Sequence, residues 1–156
     1  MCEVNRVVFV CKENLNQSPM AEWILKSIIM DADKKVESRG LVVLFPEPIN
    51  SKVSACLQVH SVPCKEAVSK ALEAADFTEN TLFITMNSIE KIKIAEDFGV
   101  TENVFTLKEF IDEEGDVFDP YGGDEEEYET LYLELKDLLY NCLLYTSPSP
   151  RDPKTS

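Results

Sequence analysis

A segment that begins with a cysteine and ends with a serine combines residue types suited to phosphate chemistry. It runs from Cys11 to Ser18 and lies between an apolar run and the start of a helical pattern. A tight loop that ends at a helix N-terminus presents backbone N–H groups to an anion, and the helix dipole adds positive potential. We call residues 11–18 the Cys11 loop and expect inorganic phosphate to bind there. The predicted phosphate-binding residues are Lys12, Glu13, Asn14, Leu15, Asn16, Gln17 and Ser18.

The thiol of Cys11 is the candidate nucleophile. The field of the loop and helix is expected to lower its pKa, and a thiolate attacks phosphorus to form a cysteinyl-phosphate. Ser18 is placed to donate a hydrogen bond to that thiolate. Asn14 tolerates a positive φ and can hold the loop through its side-chain amide.

The loop resembles that of the low-molecular-weight protein-tyrosine phosphatases, which carry C-x-G-N-x-C-R-S-P-x-A-E after their first strand. The resemblance extends over nearly all of residues 6–141, including Ser38-Arg39-Gly40 and Asp119-Pro120-Tyr121-Gly122-Gly123. The matching loop positions are Cys11, Asn14, Ser18, Pro19, Ala21 and Glu22.

This resemblance implies hydrolysis of phosphomonoesters, with a phosphorylated protein or a small phosphomonoester as substrate. It places Asp119 at the general acid, which protonates the leaving oxygen and later activates water. It implies no cofactor and no metal. Leu15 stands where tyrosine-directed members carry a bulky aliphatic residue, which favours phosphotyrosine, although phosphoarginine and other ligands stay open.

The loop departs from the family pattern at three positions. Gln17 replaces the arginine that binds two phosphoryl oxygens with a charged planar fork, so weak or lost activity is expected. Glu13 replaces a glycine and adds a negative charge, and Lys12 is expected to point outward. Asn16 replaces a second cysteine, which excludes redox protection of Cys11 through that pair.

Two other functions compete with weak phosphatase activity. A pseudophosphatase would capture phosphate or a phosphoprotein without hydrolysis. A thioredoxin-coupled arsenate reductase shares this loop plan, but it requires the arginine and a cysteine relay, which Cys56 and Cys64 are poorly placed to provide. Those two cysteines, together with His60, are interpreted as structural residues.

Strand and helix patterns alternate along the chain. The predicted strands are 6–10, 36–38, 81–86 and 104–107. Ser18 with Pro19, Asn50, and Asn87 with Ser88 are predicted to begin helices, and a last helix covers 124–141. Alternation of this kind implies an α/β fold: a three-layer open sheet of four parallel strands with helices on both faces. The Cys11 loop then lies at the carboxyl end of a strand, where such sheets bind ligands.

Composition limits location and partners. The chain has 156 residues and a net charge of −14, which disfavours binding to nucleic acid and to anionic membranes. The lack of a long apolar run or signal peptide predicts a cytoplasmic protein, and a monomer is expected. Five cysteines without metal-ligand spacing are expected to be free thiols.

The end of the chain has a different character. Residues 142–152 match a direct translation of a transposase-type sequencing adapter. The domain boundaries are therefore predicted as 1–141 for the phosphatase-like domain, truncated in its last helix, and 142–156 for an adapter-derived, disordered tail. The natural C-terminus is then expected to be missing.

Overall fold

The computed structural model describes residues 4–29, 33–64, 67–120 and 122–146. For residues 144–146 it describes the backbone only. Tyr121 and residues 147–156 lie outside this part. The strands are β1 (Arg6–Cys11), β2 (Lys35–Gly40), β3 (Thr81–Thr85) and β4 (Val104–Thr106). The helices are α1 (Gln17–Ile28), α2 (Ser51–Val59), α3 (Ser88–Phe98), α4 (Leu107–Phe110) and α5 (Glu125–Thr146), with a 3-10 turn at Ala74–Asp76.

All four strands are parallel and lie in the order β2-β1-β3-β4. Side chains of β1 alternate between two cores, because successive residues of a strand point to opposite faces. Val7 and Phe9 pack in the core shared with α1, α2 and α5, whereas Val8 packs with Ile94 of α3 on the other face. The predicted three-layer α/β architecture is confirmed. No helix in the described part of the chain is long and apolar enough to cross a membrane.

Of the three helix starts that capping residues predict, two are confirmed. Asn50 and Asn87 accept backbone hydrogen bonds as the N-caps of α2 and α3. The prediction for α1 is wrong: the helix begins at Gln17 and Pro19 is its third residue. Ser18 is not free to cap because its hydroxyl contacts Cys11 and Asn14. Proline is tolerated there because backbone N–H groups of the first turn have no partner within the helix.

The last helix is longer than predicted. It continues from Asn141 to Thr146, so residues 142–146 are helical and not disordered. The apolar spacing of Leu135, Leu138 and Leu139 continues to Cys142, which is fully buried in the core. Burial of that apolar face holds the added turn in place. The adapter origin of the tail stays a prediction.

Candidate active site

A cleft of about 340 Å³ lies at the carboxyl ends of the strands. The loop that leaves β1 forms its floor, and the start of α3 and the segment before α5 form its walls. Asp119 is 108 positions beyond Cys11 in sequence, yet both residues line this cleft. The lining residues are Cys11, Lys12, Glu13, Leu15, Asn16, Gln17, Asn87, Glu90 and Asp119.

Asn14 lies beneath the cleft and holds the Cys11 loop in shape. It is 1% exposed and has a φ of 60°, as expected from the sequence. Its amide nitrogen donates to the hydroxyls of Ser18 and Ser38, each at 2.9 Å, while its oxygen accepts from the Lys70 backbone N–H at 2.8 Å. One buried side chain therefore joins the loop to α1, β2 and the segment before β3. Such a fully satisfied buried network specifies a single loop conformation.

The end of β2 approaches the loop so closely that only glycine fits at position 40. A Cβ atom there would lie 2.9 Å from the Glu13 carbonyl carbon and 3.0 Å from the Asn14 Cβ. Among the described loop residues, Asn14 is the one with positive φ, so Glu13 is accommodated without backbone strain in place of the family's glycine. Glu13 and Lys12 are both exposed at the rim.

Cys11 has the neighbours that the sequence predicts but not the predicted acidity. Its Sγ lies 2.9 Å from the Ser18 hydroxyl oxygen. Because that oxygen already accepts from Asn14, its own hydrogen is free to point at sulfur. Burial nevertheless raises the pKa of the Cys11 thiol, and the nearby Glu90 carboxylate raises it further, against hydrogen bonds from Ser18 and Asn14 that lower it. The expected lowering of this pKa is therefore wrong, because desolvation by burial outweighs the hydrogen bonds that favour the thiolate.

Gln17 is turned to the segment that carries Asp119. Its amide nitrogen donates to the Phe118 carbonyl oxygen at 2.9 Å and lies 3.4 Å from that of Val117. The side chain is 7% exposed. Both amide hydrogens are thus directed at the protein backbone, and the cleft receives neither charge nor a fork of donors from this position.

Sequence reasoning missed Glu90 as a residue of this site. Its carboxylate accepts the backbone N–H of Met86 at 2.9 Å and that of Asn87 at 3.3 Å, and the Asn87 side chain accepts the N–H of Glu90 in return. Burial and, to a smaller extent, the charge of Asp119 raise the pKa of Glu90 to about 7, against the backbone hydrogen bonds that lower it. The Asn-x-x-Glu spacing of this capping box was visible in the sequence, but its position in the cleft was not.

Asn16 has a structural partner in place of the family's second cysteine. Its side-chain oxygen accepts from the Tyr128 hydroxyl at 3.2 Å, and that hydroxyl accepts from the Asn50 amide at 3.1 Å. Tyr128 is 2% exposed and packs in the core. Among the residues that the structure describes, Cys11 is the one cysteine that lines the cleft, so no thiol relay accompanies it. This arrangement does not support an arsenate reductase.

This chain is similar to known proteins in both sequence and structure. The family model for low molecular weight phosphotyrosine protein phosphatases matches residues 6–146. The low molecular weight protein-tyrosine-phosphatase PtpB of Staphylococcus aureus is 33% identical over 134 residues, which cover 86% of this chain and 94% of that protein. These matches extend well beyond the Cys11 loop.

Solved structures agree with the sequence matches. The low molecular weight protein tyrosine phosphatase of T. tengcongensis superposes with a TM-score of 0.83 at 31% identity, covering 89% of this chain and 97% of that one. The YwlE arginine phosphatase of Geobacillus stearothermophilus has a TM-score of 0.82 at 27% identity, with coverages of 90% and 91%. By family model, sequence identity and fold, this chain belongs to the low molecular weight phosphotyrosine protein phosphatase family.

Proposed function

We propose that this chain is a slow phosphomonoesterase that acts through a cysteinyl-phosphate at Cys11. The observation that carries the proposal is the shared cleft: a thiol at its floor, a serine hydroxyl against that thiol, and the carboxyl of Asp119 at its wall. A nucleophile and a carboxyl group that line the same cleft fit double displacement at phosphorus.

The reaction has two balanced steps. The Cys11 thiolate attacks phosphorus, the bond from phosphorus to the leaving oxygen breaks, and the Asp119 carboxyl gives that oxygen a proton. Water then attacks the cysteinyl-phosphate while the Asp119 carboxylate takes its proton. The S–P bond breaks, inorganic phosphate leaves, and the thiolate is restored.

Three features make the first step slow. Gln17 supplies no positive charge to the equatorial oxygens, the raised pKa of Cys11 leaves little thiolate at neutral pH, and Glu13 adds negative charge at the rim. An arginine that stabilises a phosphoryl transition state contributes on the order of 10³ to 10⁵ in rate, or about 4 to 7 kcal/mol. A deficit of that size is expected here.

The proposed substrate class is phosphotyrosine in a protein. Leu15 lies between the cleft and a smaller depression of about 150 Å³ that also borders Val42, Leu44 and Phe45. These last three side chains are 50%, 89% and 62% exposed, an apolar rim against which an aromatic leaving group can pack. PtpB relatives are named for phosphotyrosine and YwlE for arginine, so matched phosphotyrosine and phosphoarginine peptides provide the comparison.

Trapping the intermediate tests this proposal. Protein mixed with a chromogenic aryl phosphate and quenched in acid should carry one phosphoryl group on the peptide that contains Cys11, and Cys11→Ser should abolish turnover. Asp119→Asn should slow esters of poor leaving groups much more than activated aryl esters, because only the former need a proton. Asp116→Asn is the matched control on the same segment. Phosphoryl transfer to another residue, or turnover that survives Cys11→Ser, would exclude the mechanism.

A non-catalytic phosphate receptor is the second candidate. The hydrogen bonds of Asn14 favour this candidate, because they preserve the conformation of the Cys11 loop although the arginine is missing. Titration with inorganic phosphate, followed through Trp23 on α1, distinguishes the candidates. Saturable binding without any trapped intermediate supports the receptor, whereas binding with slow turnover supports the enzyme.

A further inference from the structure

Three side chains of different chemistry converge between α2 and α5, away from the cleft. The Cys56 sulfur, a ring nitrogen of His60 and a carboxylate oxygen of Glu129 all lie within 4.8 Å of one another. The Glu129 Oε1 atom is 3.7 Å from Cys56 Sγ and 2.8 Å from His60 Nε2. A thiol, an imidazole and a carboxylate are the three kinds of side chain that bind Zn²⁺.

The fold explains this convergence. Cys56 and His60 are four residues apart, at the end of α2 and its C-cap, so they face the same side. The first turns of α5 bring Glu129 to them from 69 positions beyond His60. The His60 ring stacks on Tyr132, with centroids 3.8 Å apart and planes 11° from parallel, which fixes its orientation. Two helices and the stacked ring therefore hold the three side chains close together.

We propose that Cys56, His60 and Glu129 form a Zn²⁺ site. Bond lengths of about 2.0 to 2.3 Å require ligand atoms of a tetrahedral zinc to be roughly 3.3 to 3.6 Å apart. The distance of 3.7 Å between Cys56 Sγ and Glu129 Oε1 is close to this range. The distance of 2.8 Å between His60 Nε2 and Glu129 Oε1 is shorter, and a small rotation of the exposed carboxylate would lengthen it into the range.

Charge and access also suit a zinc ion. Binding transfers the Cys56 proton to solvent, and the thiolate and carboxylate then balance the two positive charges of the metal. Cys56 is 9% exposed, whereas the His60 and Glu129 side chains are 24% and 43% exposed. The inner side is thus closed by protein and the outer side is open to a water molecule as the fourth ligand.

The site would connect to the Cys11 loop through α5. Tyr128, the residue before Glu129, bridges Asn16 of the loop and Asn50, the N-cap of α2. A metal that ties α2 to α5 would restrain the residues on which the loop depends. Zinc is therefore expected to stabilise the fold without entering the cleft.

Cobalt titration of the full chain provides the test. In a Cys11→Ser background, one equivalent of Co²⁺ should bind with a sulfur-to-cobalt charge-transfer band, which Cys56→Ser abolishes and the control Cys64→Ser retains. Zn²⁺ should displace the cobalt and raise the melting temperature.

Because Glu129 is exposed, Glu129→Gln tests the site without disturbing the core. This variant should bind Zn²⁺ about tenfold or more weakly, whereas the control Glu127→Gln should bind it with unchanged affinity. A band that survives Cys56→Ser, equal affinity in Glu129→Gln, or no cobalt bound would overturn the proposal.

Discussion

The side-chain amide of Gln17 donates a 2.9 Å hydrogen bond to the carbonyl oxygen of Phe118, the residue before the proposed general acid Asp119. The family's phosphate-binding arginine would stand at position 17. In this chain the glutamine there connects the N-terminus of α1 to the segment that carries Asp119. The same substitution removes a charge from the cleft and adds a structural contact. Its effects on catalysis and on folding are therefore separable by choice of substituent.

Replacing Gln17 with methionine tests the structural contact. Methionine fills a similar volume without donors and leaves the carbonyl groups of Val117 and Phe118 without this partner. We expect urea denaturation to show a loss of about 1 to 2 kcal/mol in the free energy of unfolding. Gln58→Met on the exposed face of α2 is the control and should change stability by less than about 0.5 kcal/mol. Equal effects at the two positions would show that the amide contacts contribute nothing.

The acidity of Cys11 should respond to the charge at position 17. Burial and Glu90 raise the pKa of the thiol in the present chain, and a guanidinium at position 17 would stabilise the thiolate. The rate of alkylation by iodoacetamide against pH, read by mass spectrometry on the Cys11 peptide, should therefore show a lower midpoint in Gln17→Arg. Cys64 in the same samples is the internal control, with an unchanged profile. A Cys11 midpoint already below that of a free thiol would refute the assigned electrostatics.

Glu90 should make anion binding depend on pH. Burial raises its pKa to about 7, so the carboxyl is neutral below that value and gains a negative charge beside the cleft above it. Sulfate keeps its own charge over this range, and the raised pKa of Cys11 keeps the thiol neutral. The dissociation constant for sulfate should rise about three- to tenfold from about pH 6 to about pH 8. Glu90→Gln retains acceptors for the Met86 and Asn87 N–H groups and should remove the slope; a slope that persists would assign it to another group.

The sequence was sufficient where local rules decide the structure. The β1 strand, the asparagine caps of α2 and α3, and the positive φ of Asn14 follow from neighbouring residues alone. It was insufficient where distant segments meet. Helix α1 begins before the predicted residue because the Ser18 hydroxyl contacts Asn14 and Cys11 and does not cap the helix. Helix α5 ends after the predicted residue because the core extends to Cys142.

Two parts of the site depend on tertiary contacts that no local pattern reveals. The Asn87–Glu90 box is a helix start in sequence, and only the parallel order of β1 and β3 places its carboxylate beside Cys11. The acidity of Cys11 was predicted with the wrong sign because helix position favours the thiolate, whereas burial and Glu90 act against it more strongly. Desolvation depends on the whole packed environment and cannot be seen in one loop.

Whether Gln17 limits catalysis is tested by comparing kcat/KM on an aryl phosphate between the present chain and Gln17→Arg. Gln17→Lys is the matched control, because it restores charge without the planar fork. We predict that Gln17→Arg is about a hundredfold or more faster than the present chain, with Gln17→Lys in between. If the present chain turned over within about tenfold of Gln17→Arg, Gln17 would not be the residue that limits catalysis.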